Sequence, residues 1–416
     1  MDLFDIKLYI IKVKRNNSFY FRIEVRSLYN LLFGAIALYT FFLCSTISNA
    51  GYSISCAAVF ILVIWFYWKK KETPFVPDFV FLWLYGIFFI LLFLSAFLLG
   101  DTNSLQKTAK YFGYSLPIFL LYYAFRAFFL ERAVQLGCFM AAVVLSGYSV
   151  YQFFTFPLGS RIPSIFINPN GLPMILEVFF PFMVIFFFRA KKYSMKIRII
   201  MGSVIVFTMI SIILTQSRGG IMGIIFGLLA LIVGRIILLR FPYSKFTRCI
   251  IYLMTLTIIA SSLAIFATTV FQRNYDSERI LLLKSSYTMW NEHKVFGVGF
   301  DNWDKEYQNK YILDEAKERT LDMPHNTIAF FFSSTGIIGG FGYLVFIFGT
   351  LCFLVKKIIE YPENLYIQAM LWAFIAVFTH GMVDAGITNK MAARLVFGFL
   401  GITLASLSIK DANVIR

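Results

Sequence analysis

An all-α integral membrane protein of about twelve transmembrane helices, with one large external loop subdomain between spans 9 and 10, is the fold class this sequence predicts. Three observations predict it. The first is composition: 59% of the 416 residues are hydrophobic, 14% are charged and the mean hydropathy is +0.74, whereas soluble domains carry about a quarter charged residues. The second is spacing. Apolar runs of about twenty residues, long enough to cross roughly 30 Å of hydrocarbon as helix, recur along the whole chain. A backbone in lipid must satisfy its own hydrogen bonds, so these runs are helices rather than open sheet. The third is the position of the basic residues, which separate the apolar runs instead of clustering on one domain. The net charge of +16 therefore reads as membrane orientation, not as a nucleic-acid surface.

The expected spans are 28–47, 52–68, 79–99, 113–130, 134–156, 171–188, 199–215, 220–239, 249–270, 327–355, 365–383 and 394–409. With the N-terminus inside, the inner connections and chain ends hold 24 of the 38 basic residues, the short outer connections hold six (Lys107, Lys110, Arg161, Arg218, Lys390 and Arg394), and the remaining eight fall in 271–325. That bias places both termini in the cytoplasm and residues 271–325 outside. The chain divides into 1–270 (spans 1–9), 271–325 (an external cap) and 326–416 (spans 10–12). A connection of some fifty residues is unusual where the others are short. It contains Trp290, Trp303, Tyr275, Tyr287, Tyr307 and Tyr311, too many aromatics for a disordered tail, so it is expected to fold as a cap.

No phosphate-binding GxxxxGK[ST] or dinucleotide-binding GxGxxG occurs, and Gly297-Val298-Gly299 reads as a turn needing positive φ. Cys44, Cys56, Cys138, Cys249 and Cys352 lie in or beside apolar runs without a CxxC or Cys/His cluster, which supports neither a disulfide framework nor zinc. Asp301, Asp304 and Glu306 read as a solvated face. No metal site and no cofactor is expected.

Four polar stretches stand at the external edge. Arg161 precedes Asn168-Pro169-Asn170-Gly171, a turn whose Asn170 is placed to cap the following helix. Ser217-Arg218-Gly219-Gly220 forms a hairpin between two spans. An arginine so close to hydrocarbon is partnered, functional or snorkelling to the interface, and the glycines would admit a large ligand to the backbone. Arg279 precedes an amphipathic stretch to Trp290. Pro324-His325-Asn326 stands where the long loop meets the tenth span. Histidine is the side chain suited to proton transfer near neutral pH, so His325 is a candidate general base.

In this order and at comparable spacing, the NPN turn, the SRG hairpin, the arginine before W…GxG and the PHN at the loop's end resemble the O-antigen ligase and polymerase family. The resemblance covers roughly residues 160–345. It departs slightly at Pro173, where a small residue is commoner. The resemblance implies an inverting, metal-independent glycosyltransferase of the bacterial inner membrane. Its donor would be an undecaprenyl-diphosphate-linked glycan, and its acceptor a hydroxyl of lipid A–core or of another glycan on the periplasmic side, with membrane lipid around it and no nucleic acid. By the same resemblance Arg218 and Arg279 clamp the diphosphate, His325 is the base, and Arg161, Asn168, Asn170, Ser217 and Asn326 contact substrate. Ligation onto lipid A–core is the first expectation because the chain has one large loop where polymerases often have two. Polymerisation of carrier-linked repeats is the alternative. A transporter is disfavoured, because the polar groups sit at the membrane edge rather than mid-membrane.

Overall fold

The apolar runs fold as helices in the computed structural model, which describes residues 19–70, 76–128, 130–190, 193–240 and 275–414. Among these residues there is no strand, and nine helices are long and apolar enough to cross a membrane. The expected span 249–270, residues 271–274 and the basic residues before Phe19 lie outside the described residues.

The order begins with α1 (Phe19–Ser45), α2 (Asn49–Lys70) and α3 (Phe79–Leu99). Asp78 caps α3 by accepting from the Val80 N–H at 3.0 Å, and Gly100 ends it in the left-handed conformation at φ 73°. The expected fourth span, 113–130, is not one helix. It is divided between α4 (Thr102–Ser115) and α5 (Pro117–Phe128). Pro117 has no N–H to give and its ring would collide with the preceding turn, so the helix breaks there and restarts with proline in its first turn. α4 itself is amphipathic and buries Ser104, Thr108, Tyr111 and Ser115.

Next come α6 (Glu131–Thr155), α7 (Gly171–Arg189), α8 (Met195–Leu214) and α9 (Arg218–Arg240). After the gap follow α10 (Tyr275–Glu292), the short α11 (Trp303–Glu306) with a π-turn at Tyr307–Tyr311, α12 (Thr327–Glu360), α13 (Leu365–Gly381) and α14 (Lys390–Val414). α7 and α14 are buried along most of their length and form the centre of the bundle, whereas α2 and α8 are largely exposed. α9 packs along α13, α3 along α12, α5 along α14 and α1 along α6. At 17 residues, α13 is shorter than the other spanning helices, but it is buried almost throughout. Neighbouring helices, not lipid, surround it.

The described part of the long loop folds against the bundle. The Trp303 Nε1–H donates to Ser286 Oγ at 3.0 Å, and its ring stacks on Tyr307 at 4.7 Å. Glu278 accepts from the N–H groups of Lys317 and Glu318 at 3.0 and 3.3 Å, tying the end of the loop to α10. Residues 294–299 enter a break in α12. The N–H groups of Val298 and Gly299 donate to Ser333 O and Ser334 O at 3.0 and 2.9 Å, and the Ile337 N–H donates to Lys294 O at 2.8 Å. Ser95 Oγ, from α3, donates to both Phe296 O and Thr335 O across the same junction. The break requires Gly336, whose φ of 62° and ψ of −160° belong to a region only glycine occupies readily. A Cβ there would stand 2.2 Å from Val295 O, and one at Gly297 would stand 2.4 Å from the Ser334–Thr335 backbone. Gly297 and Gly299 have the positive φ expected of a turn. At Gly297 the missing Cβ lets two backbones meet inside the protein, whereas at Gly299 it makes room for the Asn302 side chain.

Candidate active site

α7, α9, α12 and α14 begin, and α8 and α13 end, at one end of the bundle. Between those helix ends, α10 and the 317–323 segment lies a cavity of about 1070 Å³. Seven of the eight sequence-selected residues line it: Arg161, Asn168, Asn170, Ser217, Arg218, Arg279 and His325. The eighth, Asn326, lies outside the lining. Its Oδ1 caps α12 by accepting from the Ala329 N–H at 2.9 Å, and its Nδ2 donates to Met382 O at 2.9 Å. Asn326 therefore holds its neighbour His325 against the end of α13.

The 161–171 segment is fixed through its own polar side chains. Arg161 donates from Nε to Thr215 O at 2.9 Å and from Nη2 to Asn170 Oδ1 at 2.6 Å, joining the segment to the α8–α9 hairpin. Asn170 occupies the position before α7, but its side chain makes no capping bond. Its Nδ2 donates instead to Asp384 Oδ2 at 2.5 Å. The cap is lost because Oδ1, the atom that would accept a helix N–H, is taken by the charged Arg161 guanidinium. Asn168 accepts the Asn170 N–H at 2.9 Å and holds the turn. Ser217 is buried, and its Oγ accepts from the Gly220 N–H at 3.4 Å at the start of α9.

The glycines after Arg218 let neighbouring helices approach closely, while Gly219 still lines the cavity. A Cβ at Gly219 would lie 2.6 Å from the His380 ring, and one at Gly220 would lie 2.4 Å from Pro173. They bring the start of α9 hard against α13 and α7. Arg218 is the first residue of α9 and Arg279 lies in the second turn of α10, so the two guanidinium groups face one cavity from different elements.

His325 has φ 50°, and Gln216 on the same wall has φ 52°. Non-glycine residues rarely adopt such values, and strain of this kind gathers at functional sites. His325 Nδ1 stands 3.5 Å from Asp384 Oδ1, a close electrostatic contact somewhat longer than a full hydrogen bond. Asp384 was not selected from the sequence. Burial alone would raise its pKa, but His325, His380 and the Ala385 N–H outweigh that and hold it well below the usual carboxylate range. Also missed was the buried pair of Glu177 in α7 and His380 in α13, whose His380 Nδ1 lies 3.1 Å from Glu177 Oε2. The available signal was an ionisable residue inside each of two expected spans, which by itself marks a functional candidate. Among the described residues, no three His, Cys, Asp or Glu side chains gather as metal ligands.

Residues 203–344, about a third of the chain, match the family model described as O-antigen ligase. No curated protein matches the chain. The matched segment runs from α8 through the start of α9 and the long loop to the broken helix α12, so it contains Ser217, Arg218, Arg279, His325 and the glycine junction. Together with the ordered motifs and the many membrane-length helices, that match makes residues 203–344 of this multi-pass membrane chain similar to the O-antigen ligase family.

Proposed function

We propose that the cavity transfers a glycan from undecaprenyl diphosphate to an acceptor hydroxyl, with inversion and without a metal ion. The observation that carries this reading is the convergence of Arg161, Arg218 and Arg279 with His325 on one cavity at the bundle's end. A glycosyl diphosphate already has its leaving group, and the charge that develops on it calls for fixed cations. Guanidinium groups are permanently charged and fork onto phosphate. His325 Nε2 takes the proton of the acceptor hydroxyl. The acceptor oxygen bonds to the anomeric carbon from the face opposite the diphosphate, and the bond from that carbon to the diphosphate oxygen breaks with its electron pair leaving on the phosphate. Asp384, beside Nδ1, keeps the Nδ1 proton in place so that Nε2 presents its lone pair, the arrangement that orients a histidine base elsewhere.

The cavity's open side would face the periplasm, since the sequence assigns 24 of the 38 basic residues to the inner connections and chain ends and only six to the short outer ones, among them Arg161 and Arg218 of the cavity. Ligation onto lipid A–core is the specific reaction proposed, because a single cap covers a single carrier site. The test is purified protein supplied with carrier-linked polymer in excess chelator, offered lipid A–core in one reaction and a carrier-linked repeat unit in another. Transfer to lipid A–core is expected. Extension of the repeat unit instead would make the protein a polymerase. Activity restored only by a divalent cation would place a metal in the mechanism.

A further inference from the structure

Directly behind the start of α9 lies a polar group that the proposed chemistry has not used. His380 is 1% exposed and Glu177 is fully buried. His380 Nδ1 is engaged by both Glu177 oxygens at 3.1 and 3.2 Å. Its Nε2 is buried and has no hydrogen-bond partner among the described residues, although the ring forms part of the cavity wall. The ring sits under the first turn of α9, where Nε2 would be 3.2 Å from a Cβ at Gly219. The other charged groups that act on it are Asp384 and Arg279.

Protonation follows from electroneutrality. Asp384 and Arg279 carry opposite charges, and a bound diphosphate would take up the charge of Arg218, so an extra net charge on the Glu177–His380 pair would then stand uncompensated in a low-dielectric interior, which is costly. The pair has two neutral arrangements. In one, an imidazolium faces a carboxylate. In the other, a protonated Glu177 donates to Nδ1 of a neutral ring. Nε2 carries a hydrogen in both. The group at the cavity wall is therefore a donor, and it stands beside a helix N-terminus, where backbone N–H groups and the helix dipole also favour an anion.

We infer that His380, held by Glu177, forms with the first turn of α9 an inner phosphate subsite that takes one phosphate of a polyprenyl diphosphate. This rests on the transferase reading and adds a binding residue to it. Arg218 and Arg279 would hold the diphosphate from the cavity side, while Nε2–H would reach the phosphate oxygen deepest in the site after a small shift of the ring.

The experiment uses the full chain in detergent and geranylgeranyl diphosphate as a short polyprenyl diphosphate probe. Its Kd is measured for wild type, His380→Leu, which fills the space without a donor, and His380→Gln, which keeps one. Steady-state KM values for carrier-linked donor and for acceptor are measured alongside. Loss of one hydrogen bond to a charged group should weaken probe binding by about tenfold or more in His380→Leu. The donor KM should rise with it, the acceptor KM should stay unchanged, and His380→Gln should recover part of the loss. Equal binding by all three proteins would overturn the inference, and so would equal losses in the two variants or a parallel rise in both KM values. A wild-type chain that does not bind the probe would overturn the transferase reading itself, and this subsite with it.

Discussion

His325, Arg218 and Arg279 come from the junction before α12, the first residue of α9 and the second turn of α10, yet all three face one cavity. Each was legible because its residue type is conspicuous where it occurs: an arginine at the edge of hydrocarbon, a histidine where a long loop ends. Alanine at any of the three is expected to lower transfer by about 10²–10³-fold, the usual cost of removing one preorganised electrostatic group. The protein should still insert and purify normally. Lysine at 218 or 279 should restore only part of the activity, because an ammonium cannot reproduce the guanidinium fork. Near-normal glycan transfer by His325→Ala in a reconstituted assay would remove the general base. Asp384 was not legible, since its importance arises from Asn170 and His325, which reach it from distant segments. Its folded pKa lies below the ordinary aspartate value of about 3.9. The folded chain therefore binds fewer protons there than the unfolded chain, and the resulting stability is present above that value and lost as pH falls through the lower folded one. Asp384→Asn should melt below wild type at neutral pH, with the gap narrowing as pH drops below about 4. A gap of constant size in tryptophan-fluorescence melting across that range would contradict the assignment.

Among the elements, α12 shows how a membrane helix makes room for the loop that precedes it. Its 34 residues exceed the roughly twenty needed to span, and the break at Gly336 turns the surplus turns into a socket for residues 294–299. Gly336→Ala should force a Cβ into the carbonyl of Val295 and hold a non-glycine residue in a conformation costing about 1–3 kcal/mol before any clash is counted. The expected result is release of the loop, seen as new protease cleavage between Lys294 and Lys317, with loss of transfer but retention of the folded bundle. A variant as protected as wild type would mean that the socket tolerates displacement. The sequence located this helix and anticipated the turn at Gly297 and Gly299. It did not reveal the break, because a glycine within an apolar run is ordinary in membrane helices and only the opposing backbone makes Gly336 obligatory. Pro117 is the reverse case. The apolar run hid a boundary that the proline itself announced.

For the whole molecule, the cavity lies at one end of the bundle, and the 24-to-6 bias of basic residues over the short connections of the sequence predicts that this end is external. In a cysteine-free background, a cysteine at the exposed position Lys305 should react with a membrane-impermeant thiol reagent in intact cells or spheroplasts. A cysteine at Lys356, near the other end of α12 and 67% exposed at its side chain, should react only after permeabilisation. The reverse pattern would place the cavity in the cytoplasm and rule out a periplasmic transfer reaction.

Taken by itself, the sequence determined the membrane class, the positions of most helices and seven of the polar residues that line the cavity. Those properties are local: lipid demands apolar length, translocation demands a charge bias, and turns and caps demand particular residue types. The tertiary structure alone decided which side chains meet. Asp384 joins Asn170 and His325, Glu177 holds His380, and the glycines at 219 and 220 admit neighbouring helices. Such pairings join residues separated by up to 214 positions. Helix packing sets them, and the periodicity of any single segment carries no record of its neighbours.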